Sequence, residues 1–220
     1  MKKKLLKRLY KMGLLRSGLY KHMLQLYGVS IGDNTFIHPN SEIDITRPSL
    51  VTIGSNCYLN KGLVLLTHDY VAGVMRNVYH DFLNSSGKVV IGNNVGTGYN
   101  VTILKGVTIG DNVIIGAGAI VTKDIPSDSV VAGIPARVVC TLDEYYQKRK
   151  TKALEEAKQY ARELYHYRGV RPTVEDFWEE FALFYHEGEH YPEAFVQRIK
   201  NQQMPRDLYN EFIKNNKPMY

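Results

Sequence analysis

The sequence has few of the residues that stabilise small secreted proteins or carry a chain across a membrane. Its 220 residues include only two cysteines, Cys57 and Cys140, too few for a disulfide framework. Both thiols are expected to stay reduced inside a cell. No apolar run is long enough to span a bilayer, and basic residues interrupt the N-terminal stretch where a signal peptide needs an apolar core. We therefore expect a cytoplasmic protein.

Acidic residues are missing from the first 27 positions, which carry eight Lys or Arg. Elsewhere the charges balance, with seven basic against eight acidic residues in 28–140 and thirteen against fourteen in 141–220. The net charge of +6 therefore belongs to the N-terminal segment, and the body has no basic stripe for a nucleic acid. We expect no nucleic-acid partner.

Residues 1–28 have apolar residues at near-helical spacing and are predicted to form a basic amphipathic helix. One interpretation is a cap on the end of the following domain. A second is peripheral contact of residues 1–27 with an anionic membrane surface. The two interpretations are compatible.

What the sequence has in abundance is a six-residue repeat. Its first positions are Ile91, Thr97, Ile103, Ile109, Ile115 and Val121, preceded by Ile31, Ile37 and Ile43 and by Ile53, Leu59 and Leu65. A fixed short period predicts a solenoid, whose short strands bury their apolar side chains only against neighbouring repeats. Three repeats close one triangular coil of 3 × 6 = 18 residues. Glycines, and the Gly-Asp-Asn and Gly-Asn-Asn runs, are predicted to tolerate the positive φ of the sharp turns.

Four segments carry a family resemblance. They are Ile103-Leu104-Lys105-Gly106-Val107-Thr108-Ile109-Gly110-Asp111-Asn112, Ile115-Gly116-Ala117-Gly118-Ala119, Val121-Thr122-Lys123-Asp124-Ile125-Pro126 and Val131-Ala132-Gly133-Ile134-Pro135-Ala136-Arg137-Val138. They resemble the hexapeptide-repeat acyltransferases, in particular the maltose/galactoside O-acetyltransferases and the sugar O-acetyltransferases of polysaccharide synthesis. The resemblance implies a left-handed parallel β-helix over residues 29–140, acetyl-CoA as donor and a homotrimer.

The repeat is interrupted twice, at residues 44–52 and at residues 69–88. A loop as long as the second is usually functional in a compact fold. After residue 140 the pattern changes, and residues 141–220 are predicted to form a helical C-terminal extension. Its aromatic residues are predicted to form a small helical core: Phe177, Trp178, Phe181, Phe184 and Tyr185.

His68 lies at the mouth of the long loop, where the family has its catalytic histidine. An alcohol becomes a good nucleophile when a base takes its proton, and the imidazole pKa is suited to that role. The resemblance therefore implies that His68 is the general base of a direct transfer in a ternary complex. Asp69 is not expected to orient it, since neighbours on a strand point to opposite faces.

The resemblance also supplies candidates for binding CoA. The matching positions are Tyr99, Ala117, Thr122, Lys123 and Arg137. Lys123 and Arg137 are suited to phosphate groups, with a solvated surface cation as the competing interpretation. Gly96-Thr97 stands where family members often carry larger residues, a departure that concerns the fine geometry of this site.

Asp44 and Asn60 are predicted to contact a sugar hydroxyl, although a role as polar turn residues is the competing interpretation. No metal site is predicted. The expected function is acetyl-CoA-dependent O-acetylation of a sugar or polysaccharide precursor. Alternatives are an antibiotic O-acetyltransferase, a non-catalytic scaffold, and a zinc enzyme, which would need three converging histidines.

Overall fold

The computed structural model describes residues 2–11, 13, 16–170 and 180, and the chain divides into two compact units, residues 1–145 and 146–220. Within the described residues, three sheets run along the first unit. The first contains β1 (Ser30–Ile31), β4 (Val51–Ile53), β7 (Val89–Ile91) and β10 (Thr108–Ile109). The second contains β2 (Phe36–Ile37), β5 (Tyr58–Leu59), β8 (Gly96–Thr97), β11 (Ile114–Ile115), β13 (Ser129–Ala132) and β14 (Arg137–Thr141). The third contains β3 (Glu42–Ile43), β6 (Val64–Leu65), β9 (Thr102–Ile103) and β12 (Ile120–Val121).

Successive coils stack in the register that the repeat sets. Ile109 pairs with Ile91 in a parallel ladder, an offset of 109 − 91 = 18 residues, as three hexapeptides per coil predict. The offset grows where the repeat is interrupted, to 53 − 31 = 22 between Ile53 and Ile31 and to 91 − 53 = 38 between Ile91 and Ile53. Both predicted interruptions are therefore insertions into otherwise regular coils.

The first positions of the repeats form the continuous core of the first unit. The buried ones include Ile37, Ile43, Ile53, Leu59, Leu65, Ile91, Ile103, Ile109, Ile115 and Val121. Thr97 occupies one such position, and its hydroxyl accepts a hydrogen bond from the Asn60 backbone N–H at 2.9 Å. This bond satisfies a polar atom that would otherwise be costly to bury.

At the corners formed by the Gly-Asp-Asn and Gly-Asn-Asn runs, asparagine adopts the positive φ. Asn34, Asn94 and Asn112 have φ values of 52°, 56° and 58°. Asparagine is one of the few residues besides glycine that tolerate this region. The preceding glycines allow close stacking instead, because a Cβ on Gly92 would lie 2.7 Å from the carbonyl carbon of Gly110 in the next coil. These runs therefore adopt the predicted positive φ, and they do so at their asparagines.

The N-terminal segment contains two helices where the sequence predicted one, α1 (Lys2–Lys11) and α2 (Ser17–Tyr27). Helix α2 buries Tyr20, Met23 and Leu24 in the same core as the first coil and contacts β1 and β2. It ends at Gly28, which has a φ of 111°. Helix α2 therefore covers the open end of the solenoid, and the predicted cap is confirmed.

Two further helices follow. Helix α3 (Ala72–Tyr79) lies in the long loop, and α4 (Leu142–Arg168) begins the C-terminal extension. A reciprocal pair of hydrogen bonds starts α4, from the Thr141 N–H to Glu144 and from the Glu144 N–H to the Thr141 hydroxyl. The aromatic residues predicted to form a core beyond this helix lie outside the described residues.

Candidate active site

Asp44 and His68 meet at one corner of the solenoid. Asp44 directly follows β3 and His68 lies three residues beyond β6, the next strand of the third sheet. The His68 Nδ1–H donates to Asp44 Oδ2 at 2.7 Å. Because an ionised carboxylate only accepts hydrogen bonds, this contact places the imidazole proton on Nδ1 and leaves the Nε2 lone pair free. The pair is an imidazole whose orientation a carboxylate fixes.

The Asp44 carboxylate is almost fully engaged inside the protein. Its Oδ2 also accepts from the side chain and the backbone N–H of Thr67, and its Oδ1 accepts from the Thr46 N–H at 2.9 Å and hydroxyl at 2.6 Å. Burial raises the pKa of Asp44, but the hydrogen bonds from Thr46, Thr67 and His68 outweigh it and hold that pKa far below its usual range. Asp44 is therefore ionised at neutral pH.

This arrangement changes the role of Asp44. The sequence predicted contact with a substrate hydroxyl, whereas the side chain is only 6% exposed and both oxygens accept hydrogen bonds from protein groups. Contact of Asp44 with a substrate stays a prediction, and a buried carboxylate that accepts hydrogen bonds on both oxygens has little left to offer one. The side chain of His68 is 14% exposed, which leaves its ring edge accessible.

The base of the long loop fixes the backbone around His68. The Gly87 N–H donates to the Thr67 carbonyl at 2.9 Å, and His68 forms an antiparallel bridge with Ser86. Asp69 points elsewhere and pairs with Lys105 of the next coil at 3.1 Å. The loop therefore leaves and re-enters the solenoid beside His68, and Asp69 does not orient the imidazole, as predicted.

A cavity of about 400 Å³ opens beside His68 and extends toward the N-terminal helices. Its lining comprises Tyr10, Tyr20, Met23, Leu24, Glu42, Ile43, Asp44, Ile45, Thr46, Leu65, Leu66, His68, Asp69 and Tyr70. The Tyr70 ring lies edge-on to the imidazole, with 5.0 Å between ring centroids. Cavities of this size hold small ligands in many enzymes, so His68 faces a space suited to an acceptor.

The predicted CoA residues lie at the two corners that border the third sheet. Tyr99 and Ala117 occupy the corner after the second sheet, where the Gly118 N–H donates to the Tyr99 carbonyl at 2.8 Å. Thr122 follows β12 on the His68 side, two coils beyond His68. At about 4.8 Å per coil, that separation is roughly 10 Å along the solenoid axis. The structure therefore brings Asp44 and His68 together, whereas the predicted CoA residues lie apart from this pair.

The remaining predicted residues have local roles. Lys123 and Arg137 are exposed, and Arg137 donates to the Ala136 carbonyl at 2.8 Å. Asn60 lies after β5, and its side-chain amide donates to the Thr97 carbonyl of the next coil at 2.8 Å. Asn60 therefore links two coils, and its contact with a substrate stays a prediction.

The histidines of the solenoid and its long loop are His38, His68 and His80, and a zinc site would need three that converge. His68 is held by Asp44, and the His38 Nδ1 accepts the Asn40 N–H at 3.1 Å. Among residues 2–11, 13, 16–170 and 180, no group of three His, Cys, Asp or Glu side chains is arranged to hold a metal ion.

Several residues of the site were not found from the sequence. Tyr10 and Tyr20 stack with ring centroids 5.0 Å apart, and both hydroxyls donate to the Ser41 carbonyl. Thr67 anchors Asp44, and Lys105 holds Asp69. The repeat register gives a signal for Thr67, because pairing Ile43 with Leu65 brings Asp44 level with the residue before Thr67. The tyrosines carry no such signal, since they lie outside the repeat.

Comparison with known proteins agrees with this fold. The family described as bacterial transferase hexapeptide (six repeats) matches residues 88–123, and the hexapeptide repeat of succinyl-transferase matches residues 28–67. Galactoside O-acetyltransferase of Escherichia coli (strain K12) is 36% identical, with 60% of this chain and 73% of that protein covered. Protein CapG of Staphylococcus aureus is 34% identical, covering 66% and 81%.

A solved structure of galactoside acetyltransferase in complex with coenzyme A is also similar, at 28% identity and a TM-score of 0.50, covering 64% of this chain and 79% of that one. A stack of hexapeptide coils is the fold of a class of bacterial transferases. The chain belongs to the hexapeptide-repeat acetyltransferases and is an acyltransferase. The predicted left-handed parallel β-helix is confirmed.

Proposed function

We propose that this protein transfers an acetyl group from acetyl-CoA to a hydroxyl of a sugar or polysaccharide precursor, with His68 as general base. The observation that carries the proposal is the His68–Asp44 pair, with Nε2 directed by a 2.7 Å hydrogen bond at Nδ1 and a cavity beside it. The similarity to a galactoside O-acetyltransferase supports a saccharide acceptor.

The reaction follows from the position of the base. His68 Nε2 takes the proton of the acceptor hydroxyl, and the oxygen attacks the thioester carbonyl. A new C–O bond forms, the C–S bond breaks, and the proton on Nε2 passes to the departing thiolate to give free CoA. Asp44 stabilises the imidazolium formed between these steps, because its ionised carboxylate accepts the hydrogen bond from Nδ1–H throughout.

The donor is proposed on two grounds. A similar structure is described as a complex with coenzyme A. In this chain, the corner that carries Tyr99 and Ala117 is tightly stacked, since a Cβ on Gly98 would lie 2.4 Å from the Ala117 nitrogen. Exposed backbone at this corner, with Thr122 and the cations Lys123 and Arg137, offers hydrogen bonds and positive charge to a phosphate-bearing chain.

The direct test is acetyl-CoA turnover, followed by release of free thiol, against free sugars, nucleotide sugars and polysaccharide fragments. A matched panel of amino sugars separates O-acetylation from N-acetylation. Turnover that requires a hydroxyl acceptor supports the proposal. Turnover with amines alone, or acetylation of antibiotic hydroxyls in preference to saccharides, would refute the proposed substrate class.

We further propose that the active form is a homotrimer. The support is the family resemblance together with the exposure of the predicted CoA residues, which would need a second wall to enclose a ligand. Light scattering of the full chain during turnover is expected to give three times the chain mass of 25.1 kDa. An active monomer of stable mass would contradict this prediction.

The N-terminal helices are proposed to contact an anionic membrane surface on its cytoplasmic side. Lys3 and Lys7 are exposed on α1, as is Leu5, and residues 1–27 contain no acid. None of the helices in the described part of the chain is both long enough and apolar enough to cross a bilayer. The proposed contact is therefore electrostatic and peripheral.

Replacing Lys3 and Lys7 together with glutamine is expected to weaken binding to anionic vesicles about 30-fold at low salt. Each basic residue near such a surface contributes about 1 kcal/mol, and the effect should fade as salt rises. Co-sedimentation with vesicles measures it. Lys61→Gln with Lys88→Gln, which removes the same charge from the solenoid, serves as the control. Equal binding by the two double variants would show that α1 does not make the contact.

A further inference from the structure

The cavity beside His68 has two chemically different ends. Polar groups gather at the solenoid corner, where Asp44, His68 and Asp69 lie. The side toward α2 is apolar: Met23 and Leu24 are buried behind it, and its surface comes from the half-buried Ile45 and Leu66. An acceptor hydroxyl at His68 would therefore have apolar surface beside it on the side of the helices.

Away from the exposed Glu42 and Tyr70, the polar atoms of the lining are largely engaged by the protein itself. The hydroxyls of Tyr10 and Tyr20 both donate to the Ser41 carbonyl, at 3.0 and 2.7 Å. Asp44 accepts hydrogen bonds on both oxygens, and Asp69 is paired with Lys105. A ligand that is polar all round would lose hydrogen bonds to water on entering and regain few of them here.

We propose that this cavity binds an apolar group, an alkyl or lipid tail attached to the saccharide that carries the reactive hydroxyl. The inference rests on the proposed function and extends it from a saccharide to an amphiphilic glycoside. The apolar end meets the tail and the corner meets the hydroxyl. Ile45, half-buried in the lining, lies one residue from Asp44 and contributes to the apolar surface.

The helices that close the apolar end also carry the positive excess of the chain. A tail that enters from that side could come from a soluble glycoside or from a glycolipid held in an anionic bilayer. Both sources present the same chemistry to the cavity. Because α1 and α2 lie beside the cavity, an experiment with soluble glycoside and one with glycolipid vesicles can distinguish the two sources.

The experiment is calorimetric binding of octyl and methyl β-D-glucopyranoside to the full chain without acetyl-CoA, below the micelle-forming concentration of the octyl compound. Each buried methylene raises affinity about fourfold, so burial of even four methylenes predicts tighter octyl binding by more than about 100-fold. The heat capacity change on binding is expected to be negative. Because no acyl transfer is measured, the result is independent of whether His68 is the base.

Ile45→Trp fills the cavity and is expected to reduce the octyl-to-methyl affinity ratio to near one. Leu19→Trp adds the same bulk to α2 at a position that is 47% exposed and outside the lining, and the ratio should persist. Equal affinities in the unmodified protein would overturn the proposal. So would a ratio that survives Ile45→Trp, because the tail would then bind elsewhere.

A second arm separates the two sources of the tail. Anionic phospholipid vesicles are prepared with and without a dialkyl glucoside, and binding of the full chain is compared. Tighter binding to the glycolipid vesicles, lost in Ile45→Trp, assigns the cavity to a membrane-held amphiphile. Equal binding to both vesicles, with octyl binding intact, assigns it to a soluble glycoside.

Discussion

Replacing His68 with alanine is expected to lower kcat by about 10²–10⁴-fold, the usual contribution of a general base. The structure supports folding of this variant, because the imidazole lies at a corner and outside the core that the repeats form. Its main partner, Asp44, keeps its hydrogen bonds to Thr46 and Thr67. Affinity for acetyl-CoA should change little, since the predicted CoA residues lie elsewhere on the solenoid.

The measurement is steady-state turnover on the best acceptor from the panel, with acetyl-CoA binding followed separately. His80→Asn is the matched control, because His80 is exposed in the long loop with a φ of 55°, which asparagine tolerates. Near-normal kcat in a folded His68→Ala protein would remove His68 from the mechanism. A comparable loss in His80→Asn would show that the effect comes from the loop.

The solenoid was predictable because one physical rule acts at every repeat. Each inward position must be apolar and each coil must match its neighbour, so Ile91, Ile109 and Ile115 give both strand and register. The division of the N-terminal segment into α1 and α2 was not predictable. Leu6 and Leu9 of α1 and Leu24 of α2 pack against the same core, and that tertiary contact leaves no mark on helical spacing.

At the site, His68 was found through its place beside the long loop, whereas its partner was assigned another role. Asp44 is 24 residues away, and the excursion in the first coil changes the offset from 18 to 22. Counting by the regular period therefore places Asp44 level with residue 62, four positions short of residue 66, which lies beside it. The apolar end of the cavity was missed for a different reason, because Tyr10, Tyr20 and Met23 come from helices that no repeat aligns with the solenoid.

Asp44→Asn is expected to lower kcat by about 10- to 100-fold, less than His68→Ala, because the imidazole remains while its orientation and tautomer are no longer fixed. Asp44 should also support stability. Its pKa is lowered in the folded protein, so this contribution is present above the unfolded value of about 3.9 and is lost as pH falls through the lower folded value. The free energies of unfolding of the variant and the unmodified protein, measured by denaturation, should therefore differ at pH 7 and become equal in strong acid.

Two effects of Asp44→Asn, a loss of stability and a loss of the His68 orientation, can be measured separately. Asp111→Asn removes a comparable carboxylate between coils, where Asp111 accepts from the Asn93 N–H at 2.6 Å, and it reports the structural cost alone. If Asp44 acts through His68, the double variant with His68→Ala should retain the kcat of His68→Ala within about threefold, because groups that act as a unit are not additive. Independent losses that multiply would show that Asp44 serves the fold and does not position the base. Full coupling, with normal kcat in Asp111→Asn, would identify the 2.7 Å contact as the one that directs Nε2 toward the acceptor.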